Sequence, residues 1–179
     1  NDSVPIYNVS SRWIDRNQVF RAKEFLPLLK RKGYLPMLDR NTIVQLEQDL
    51  LQKKQLNQSI DREANYIISV TEDTLINAQE NQFVNLISTA NIPVEHIYFK
   101  VQDEWLTDQG ILRQLQLLKE RGFKIALDLN KLELSLNDAS QYGMVDLIKL
   151  GNSLVRTLMP SDQTRVLMKE FVNWITDLS

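Results

Sequence analysis

An α/β fold, a parallel sheet with helices laid against it in the manner of a βα barrel, is what this sequence predicts. Three observations carry that expectation. Short apolar runs that read as strands alternate with amphipathic runs that read as helices, about five times along the chain, which is the pattern of βαβ units. Two of the strand runs, Gly122–Asp128 and Met144–Leu150, consist mostly of large or branched apolar residues bounded by turn formers. Each of them places a lone charge near its C-terminal end, Asp128 in the first and Lys149 in the second. In a barrel of parallel strands that end is the rim where ligands are met, because the interior is filled with side chains.

The elements follow in order. Ile6–Trp13 reads as the first strand, with partial alternation and Arg12 at its far end. A helix is expected from about Glu24 to Lys32, with Phe25, Leu28 and Leu29 on one face. Its last turn, Lys30-Arg31-Lys32, complements the helix dipole, and Gly33 supplies the left-handed cap. Asp39 is the expected N-cap of a second helix running to about Leu56, with Ile43, Leu46 and Leu50 as its stripe. After a polar loop, Asn57–Glu63, Tyr66–Thr71 reads as the second strand, and a helix to about Ala90 follows with Leu75, Phe83, Leu86 and Ile87 inward. Pro93 marks a break before a third strand, Val94–Gln102, with Ile97, Phe99 and Val101 on one face. Asp108–Arg121 is the clearest helix, with Leu112, Leu115 and Leu118 at helical spacing. The two charged strands come next, and Ser161 is placed to cap a last helix carrying Leu167, Met168, Phe171, Ile175 and Leu178.

Composition narrows the chemistry. The 179 residues are 43% hydrophobic and 25% charged, enough apolar mass for a single core. There is no cysteine, which removes disulfides, a thiol nucleophile and Cys-based metal sites, and the lone His96 leaves little for a serine triad or a histidine cluster. A formal charge of −2 argues against broad nucleic-acid binding. No apolar run is long enough to span a bilayer. The abrupt start, Asn1-Asp2-Ser3-Val4-Pro5, reads as the cut edge of a larger protein, so residues 1–179 are expected to be one domain among others.

Several pieces together resemble a known family. Ser11-Arg12-Trp13, Glu24-Phe25-Leu26-Pro27-Leu28, Gly33-Tyr34-Leu35 and Leu38-Asp39-Arg40 are similar, in order, to the E-A-L-x-R-W, F-I-P-L, G-L-I and L-D-R opening of the EAL domain, the bacterial barrel phosphodiesterase of cyclic di-GMP. Ile68-Ser69-Val70-Thr71 resembles its L-S-V-N, Leu115–Asp128 its L-x-x-L-K-x-x-G-x-x-I-A-L-D, and Val145–Leu150 its V-D-x-I-K-I. The resemblance implies a TIM-barrel-like fold, incomplete here at about five βα units, and a divalent-metal phosphodiesterase as the family's activity.

The departures bear on that activity. By the resemblance, the family's metal-ligand positions fall on Asn8, Thr71 and Lys100, its D-D pair becomes Asp128-Leu129, and the aspartate after I-K-I becomes Gly151. Arg12, Asp128, Asp146 and Lys149 match the pattern. Metal-assisted hydrolysis needs several hard oxygen ligands converging on the ions, and one carboxylate among lysines is a poor set. Asp128 and Lys149 are instead expected to pair across adjacent strand ends, and Arg12 to pair with Asp15 or Glu24.

The expectation is a degenerate, catalytically inactive EAL-like domain without a cofactor, acting by protein contact in bacterial signalling. Thr71 and the Ser153-Leu154-Val155-Arg156 segment are most similar to the CsrD-type regulators, which implies the glucose-specific EIIA protein or a GGDEF-type domain as partner, an influence on regulatory RNA decay, and a cytoplasmic place in an inner-membrane protein. The competing readings are a cyclic di-GMP receptor that does not hydrolyse and an active phosphodiesterase. Five strands do not close an eight-stranded barrel, so self-association or a missing C-terminal part is expected.

Overall fold

The computed structural model describes residues 4–55, 64–77, 93–130 and 142–158, with residues 166 and 169. Five parallel strands, β1 (Ile6–Val9), β4 (Asn65–Ser69), β5 (Ile97–Gln102), β6 (Lys124–Leu129) and β7 (Leu147–Leu150), lie side by side in that order and curl into part of a barrel. A two-stranded antiparallel hairpin, β2 (Trp13–Asp15) and β3 (Gln18–Phe20), stands apart from this sheet. The helices are α1 (Ala22–Arg31), α2 (Leu35–Gln55), α3 (Glu72–Asn77), α4 (Gln109–Glu120) and α5 (Asn152–Leu158). The expected polar loop Asn57–Glu63, the continuation of α3 to Ala90 with Phe83, Leu86 and Ile87, and the last helix from Ser161 lie outside the described residues.

Register divides the sheet into two faces, because residues paired across a ladder point to the same side. Ile68 pairs with Phe99 and Phe99 with Ile125; with Tyr66, Val70, Val101, Leu127 and Leu129 they form the face turned to the helices. Ile43 of α2, Leu75 of α3 and Ile111, Leu115 and Leu118 of α4 complete this core. Phe99 and Phe123 meet there with ring centroids 5.3 Å apart. Burying each such side chain contributes on the order of 1.5–3 kcal/mol over leaving it in water. The opposite face carries a small apolar cluster, Ile67, Tyr98 and Ala126 with Leu147 against it. Strand periodicity puts Asn8, Ser69, Lys100, Gln102, Lys124, Asp128 and Lys149 on that same face.

Most helix ends obey local chemistry. Gly33, at φ +69°, donates to Lys30 O at 3.0 Å, and Tyr34 N reaches Leu29 O at 3.0 Å, closing α1 as its basic last turn predicts. Glu24 Oε2 accepts from Arg21 N–H at 2.6 Å, which satisfies a donor at the start of α1. Asp108 Oδ1 accepts from Ile111 N–H at 2.9 Å and starts α4; Gly122, at φ +91°, ends the turn that follows it.

Four expectations need correction. The first strand stops at Val9, not Trp13; residues 13–20 fold back as the hairpin through Arg16-Asn17, with Arg16 at φ +52°. Asp39 does not cap α2, which starts four residues earlier with Pro36 in its first turn, where the missing N–H costs nothing. Val94–His96 is a 3-10 turn after Pro93, so β5 begins at Ile97. Asn152–Leu158, which contains the Ser153–Arg156 segment, is a helix that the apolar spacing left unassigned.

Candidate functional site

The C-terminal ends of β5, β6 and β7 bring three charges together. Lys100 Nζ lies 3.6 Å from Asp128 Oδ2, and Lys149 Nζ lies 3.5 Å from Asp128 Oδ1. Strand register makes this unavoidable: Asp128 pairs with Lys149 directly, and Lys100 sits two residues before Gln102, the β5 partner of Asp128. The ion pair of Asp128 with Lys149 is therefore present, and Lys100 joins it as a second cation. The Asp128 side chain is 17% exposed, against 24% for Lys100 and 37% for Lys149, so water screens these contacts only in part.

Beside this cluster, a second polar centre anchors the rim. Asp39 of α2 is 3% exposed, and its Oδ2 accepts from Thr71 N at 2.7 Å, Thr71 Oγ1 at 2.8 Å and Thr74 Oγ1 at 2.6 Å. Three donors converge on one oxygen, and they tie α2 to the loop that leaves β4 and starts α3. Burial pushes the Asp39 carboxyl above its ordinary range; the bonds from Thr74 and Thr71 oppose that push, and Asp73 adds to it.

A cleft of about 660 Å³ opens between the two centres. Leu26 and Pro27 of α1, Asp39 of α2, Thr71, and Lys100, Gln102 and Trp105 from the end of β5 and the turn after it are among its lining. The position is the one that barrel architecture reserves for ligands, and the volume lies within the usual range for small-molecule sites.

The other sequence-derived positions fall elsewhere. Asn8 is exposed on β1, at the border of the sheet. Arg12 is exposed and donates to Ser10 Oγ at 2.9 Å and Ser11 O at 3.1 Å; it pairs with neither Asp15 nor Glu24, because the Glu24 carboxylate is turned to Arg21 N–H. Asp146 precedes β7 and sits at the opposite, N-terminal end of the sheet. There its Oδ1 meets Lys119 Nζ at 2.6 Å and its Oδ2 accepts from Ile125 N–H at 2.8 Å, so it staples α4 and β6 to β7. His96 contacts Asn65 Oδ1 at 3.1 Å, Trp13 packs edge-on against Phe25, and Trp174 is outside the described residues.

Two features were missed in the sequence. Asp39 lines the cleft, and its match to the L-D-R piece of the resemblance gave no sign of the bonds it makes to Thr71 and Thr74. Asn130 occupies the space that a side chain at Gly151 would take: a Cβ built there meets Asn130 Oδ1. Nothing in local spacing reveals that contact.

The residues at the rim do not fit a pair of divalent cations. Hard cations need several anionic or carbonyl oxygens on one centre. Among the described residues Asp128 is the carboxylate carried by a strand at this rim, and it already faces two ammonium groups within 4 Å; Glu72 and Asp73 of α3 and Glu104 line the cleft from beyond the strands. Among the described residues no three His, Asp or Glu side chains gather as a metal site.

Comparison with known proteins adds the following. The family profile described as the EAL domain matches residues 1–179. No curated protein matches the chain. Among solved structures, the FimX EAL domain of Xanthomonas citri in complex with c-diGMP is similar at TM-score 0.78 and 9% identity, over 98% of this chain and 69% of that one. The FimX EAL domain of Pseudomonas aeruginosa bound to c-di-GMP is similar at TM-score 0.72 and 18% identity, over 99% of this chain and 71% of that one. A structure described as the PaMucR phosphodiesterase in complex with c-di-GMP is similar at TM-score 0.69 and 15% identity, over 93% and 68% of the two chains.

Proposed function

The chain belongs to the EAL domain family, and we propose that it is a catalytically inactive member that regulates bacterial signalling through protein contact. One observation carries this reading: Asp128 is held between Lys100 and Lys149. Phosphodiester cleavage by two metals requires carboxylates free to bind them, and a cation entering here would have to displace two ammonium groups it repels. Thr71 is likewise committed, with its hydroxyl on Asp39. The apolar framework behind these strands is intact, which suits a domain kept for its shape. Within this reading the chain is of the CsrD type, on the cytoplasmic side of an inner-membrane protein, with the glucose-specific EIIA protein or a GGDEF-type domain as partner. No helix among the described residues is long and apolar enough to cross a membrane.

The second reading is a cyclic di-GMP receptor that binds without cleaving. Arg12, an exposed guanidinium able to grip a phosphate, favours it, Asn8, Lys100 and Leu129 count against it, and the similar FimX domains are described as complexes with that ligand. Incubation of the chain with cyclic di-GMP and magnesium or manganese is expected to leave the substrate intact. Linear product whose formation stops in Asp128→Asn would overturn the inactive reading. Calorimetry with the dinucleotide, with and without calcium, separates a receptor from a protein-contact module: heat of binding in either condition favours the receptor.

A further inference from the structure

The hairpin and the helix after it concentrate charge of one sign. Residues 12–32 hold seven of the 21 Lys and Arg and two of the 23 Asp and Glu, which leaves them at +5 in a chain of net −2. Within that cationic stretch, Ile14 and Val19 pair directly across β2 and β3 and are 67% and 57% exposed. Trp13 and Phe20, the next pair, turn to the other side, where Trp13 packs on Phe25 of α1. The outward face of the hairpin thus carries an aliphatic pair, with exposed Arg12 and Arg21 beside its open end and exposed Arg16 at its turn. Each hairpin strand pairs with the other alone among the described residues, so both outer edges keep backbone donors and acceptors unused.

We propose that the β2–β3 hairpin, through Ile14 and Val19 with the arginines around them, is the docking surface for a protein partner that presents an aliphatic spot ringed by carboxylates. An apolar centre with an arginine rim is the usual anatomy of a protein interface. The positive frame selects an acidic partner and steers it. A strand edge is satisfied by another backbone, which a lipid surface does not offer. Unstacked bases need aromatic platforms, and the outward face here is aliphatic. A symmetric contact with a second copy would set Arg12, Arg16 and Arg21, with only Asp15 between them, against the same cluster, +2 against +2 over residues 12–21.

This surface deepens the reading of the domain as a protein-contact module. It is remote from Asp128 in the chain and independent of it in the test: turnover of cyclic di-GMP would overturn the inactive reading and leave the hairpin result standing. The probe is a displayed library of random peptides selected on the full 179-residue chain, with amide exchange to locate each selected peptide. Selected peptides should combine acidic and β-branched residues and should protect amides of residues 13–20. The exposed double variant Ile14→Thr/Val19→Thr, and separately Arg16→Asn, which suits the left-handed position, should each weaken them at least tenfold. No enrichment over the double variant, or protection elsewhere on the chain, would overturn the proposal. So would binding of anionic phosphatidylserine vesicles or single-stranded RNA that the double variant abolishes, or self-association that it abolishes.

Discussion

Asp39 is a carboxylate held in a buried place by three donors. Its burial raises the folded-state pKa above 3.8, so the folded chain holds this proton over a range where the unfolded chain has released it. That contribution to stability is complete below 3.8 and is lost as pH rises through the folded-state value. Asp39→Asn removes the titration. Urea unfolding of both proteins from neutral pH down to 3.8 should therefore show wild type gaining on the variant as pH falls; a flat difference over that whole range, or one of opposite slope, would contradict the geometry. Asp39→Ala leaves the donors of Thr71 and Thr74 without their acceptor in a buried place and should cost about 1–3 kcal/mol. At the strand ends, Lys100→Glu sets a second carboxylate beside Asp128. It should destabilise the fold by about 1 kcal/mol, less at high salt, since like charges on adjacent strands repel and are screened. Equal unfolding midpoints in 0.05 and 1 M salt would show that the two side chains avoid each other.

At the scale of elements, β6, β7 and α5 meet in a contact with a measurable signature. Gly151 N–H bonds to Leu129 O at 2.8 Å, and Asn130 fills the space beside it. Gly151→Ala must displace Asn130, at a cost of about 1–3 kcal/mol. Asn130→Gly removes the nearest obstacle and leaves Leu129 O at 3.2 Å, so the double variant should be more stable than the sum of the single effects predicts. A coupling energy of at least about 0.5 kcal/mol is expected for residues in such contact, and additivity would show that the chain relaxes freely there. The same elements show what a linear sequence can disclose. The two charged strands were legible because a buried run bounded by turn formers has few other readings, and the charge at each C-terminal end fixed which residues would meet. The hairpin was not legible: Trp13-Ile14-Asp15 and Gln18-Val19-Phe20 are only three residues each, and the turn between them relies on an arginine in a conformation that glycine or asparagine usually takes. Asp39 looked like a cap because caps are local, whereas its true partners are supplied by a strand end 32 residues away. Asp146 matched a motif, but the motif says nothing about which end of the sheet a residue occupies.

At the scale of the whole molecule, the sheet borders decide how the chain associates. Among the described residues β1 and β7 each have one sheet neighbour, so the curl does not close into a barrel. On β1, Ile6 and Tyr7 are 47% and 51% exposed, and the backbone groups on its outer side have no strand partner among the described residues. A parallel edge of this kind, with apolar side chains beside unpaired N–H and C=O groups, is a template for another chain. Light scattering on the 179-residue chain should therefore give a mass that rises with concentration. Replacing Ile6 and Tyr7 by lysine places charge along the border and should return the monomer, since lysine is the residue that blunts natural edges. The hairpin variant Ile14→Thr/Val19→Thr should leave the association unchanged, because it alters a different surface. A single mass equal to the monomer at every concentration would mean that the border is already covered.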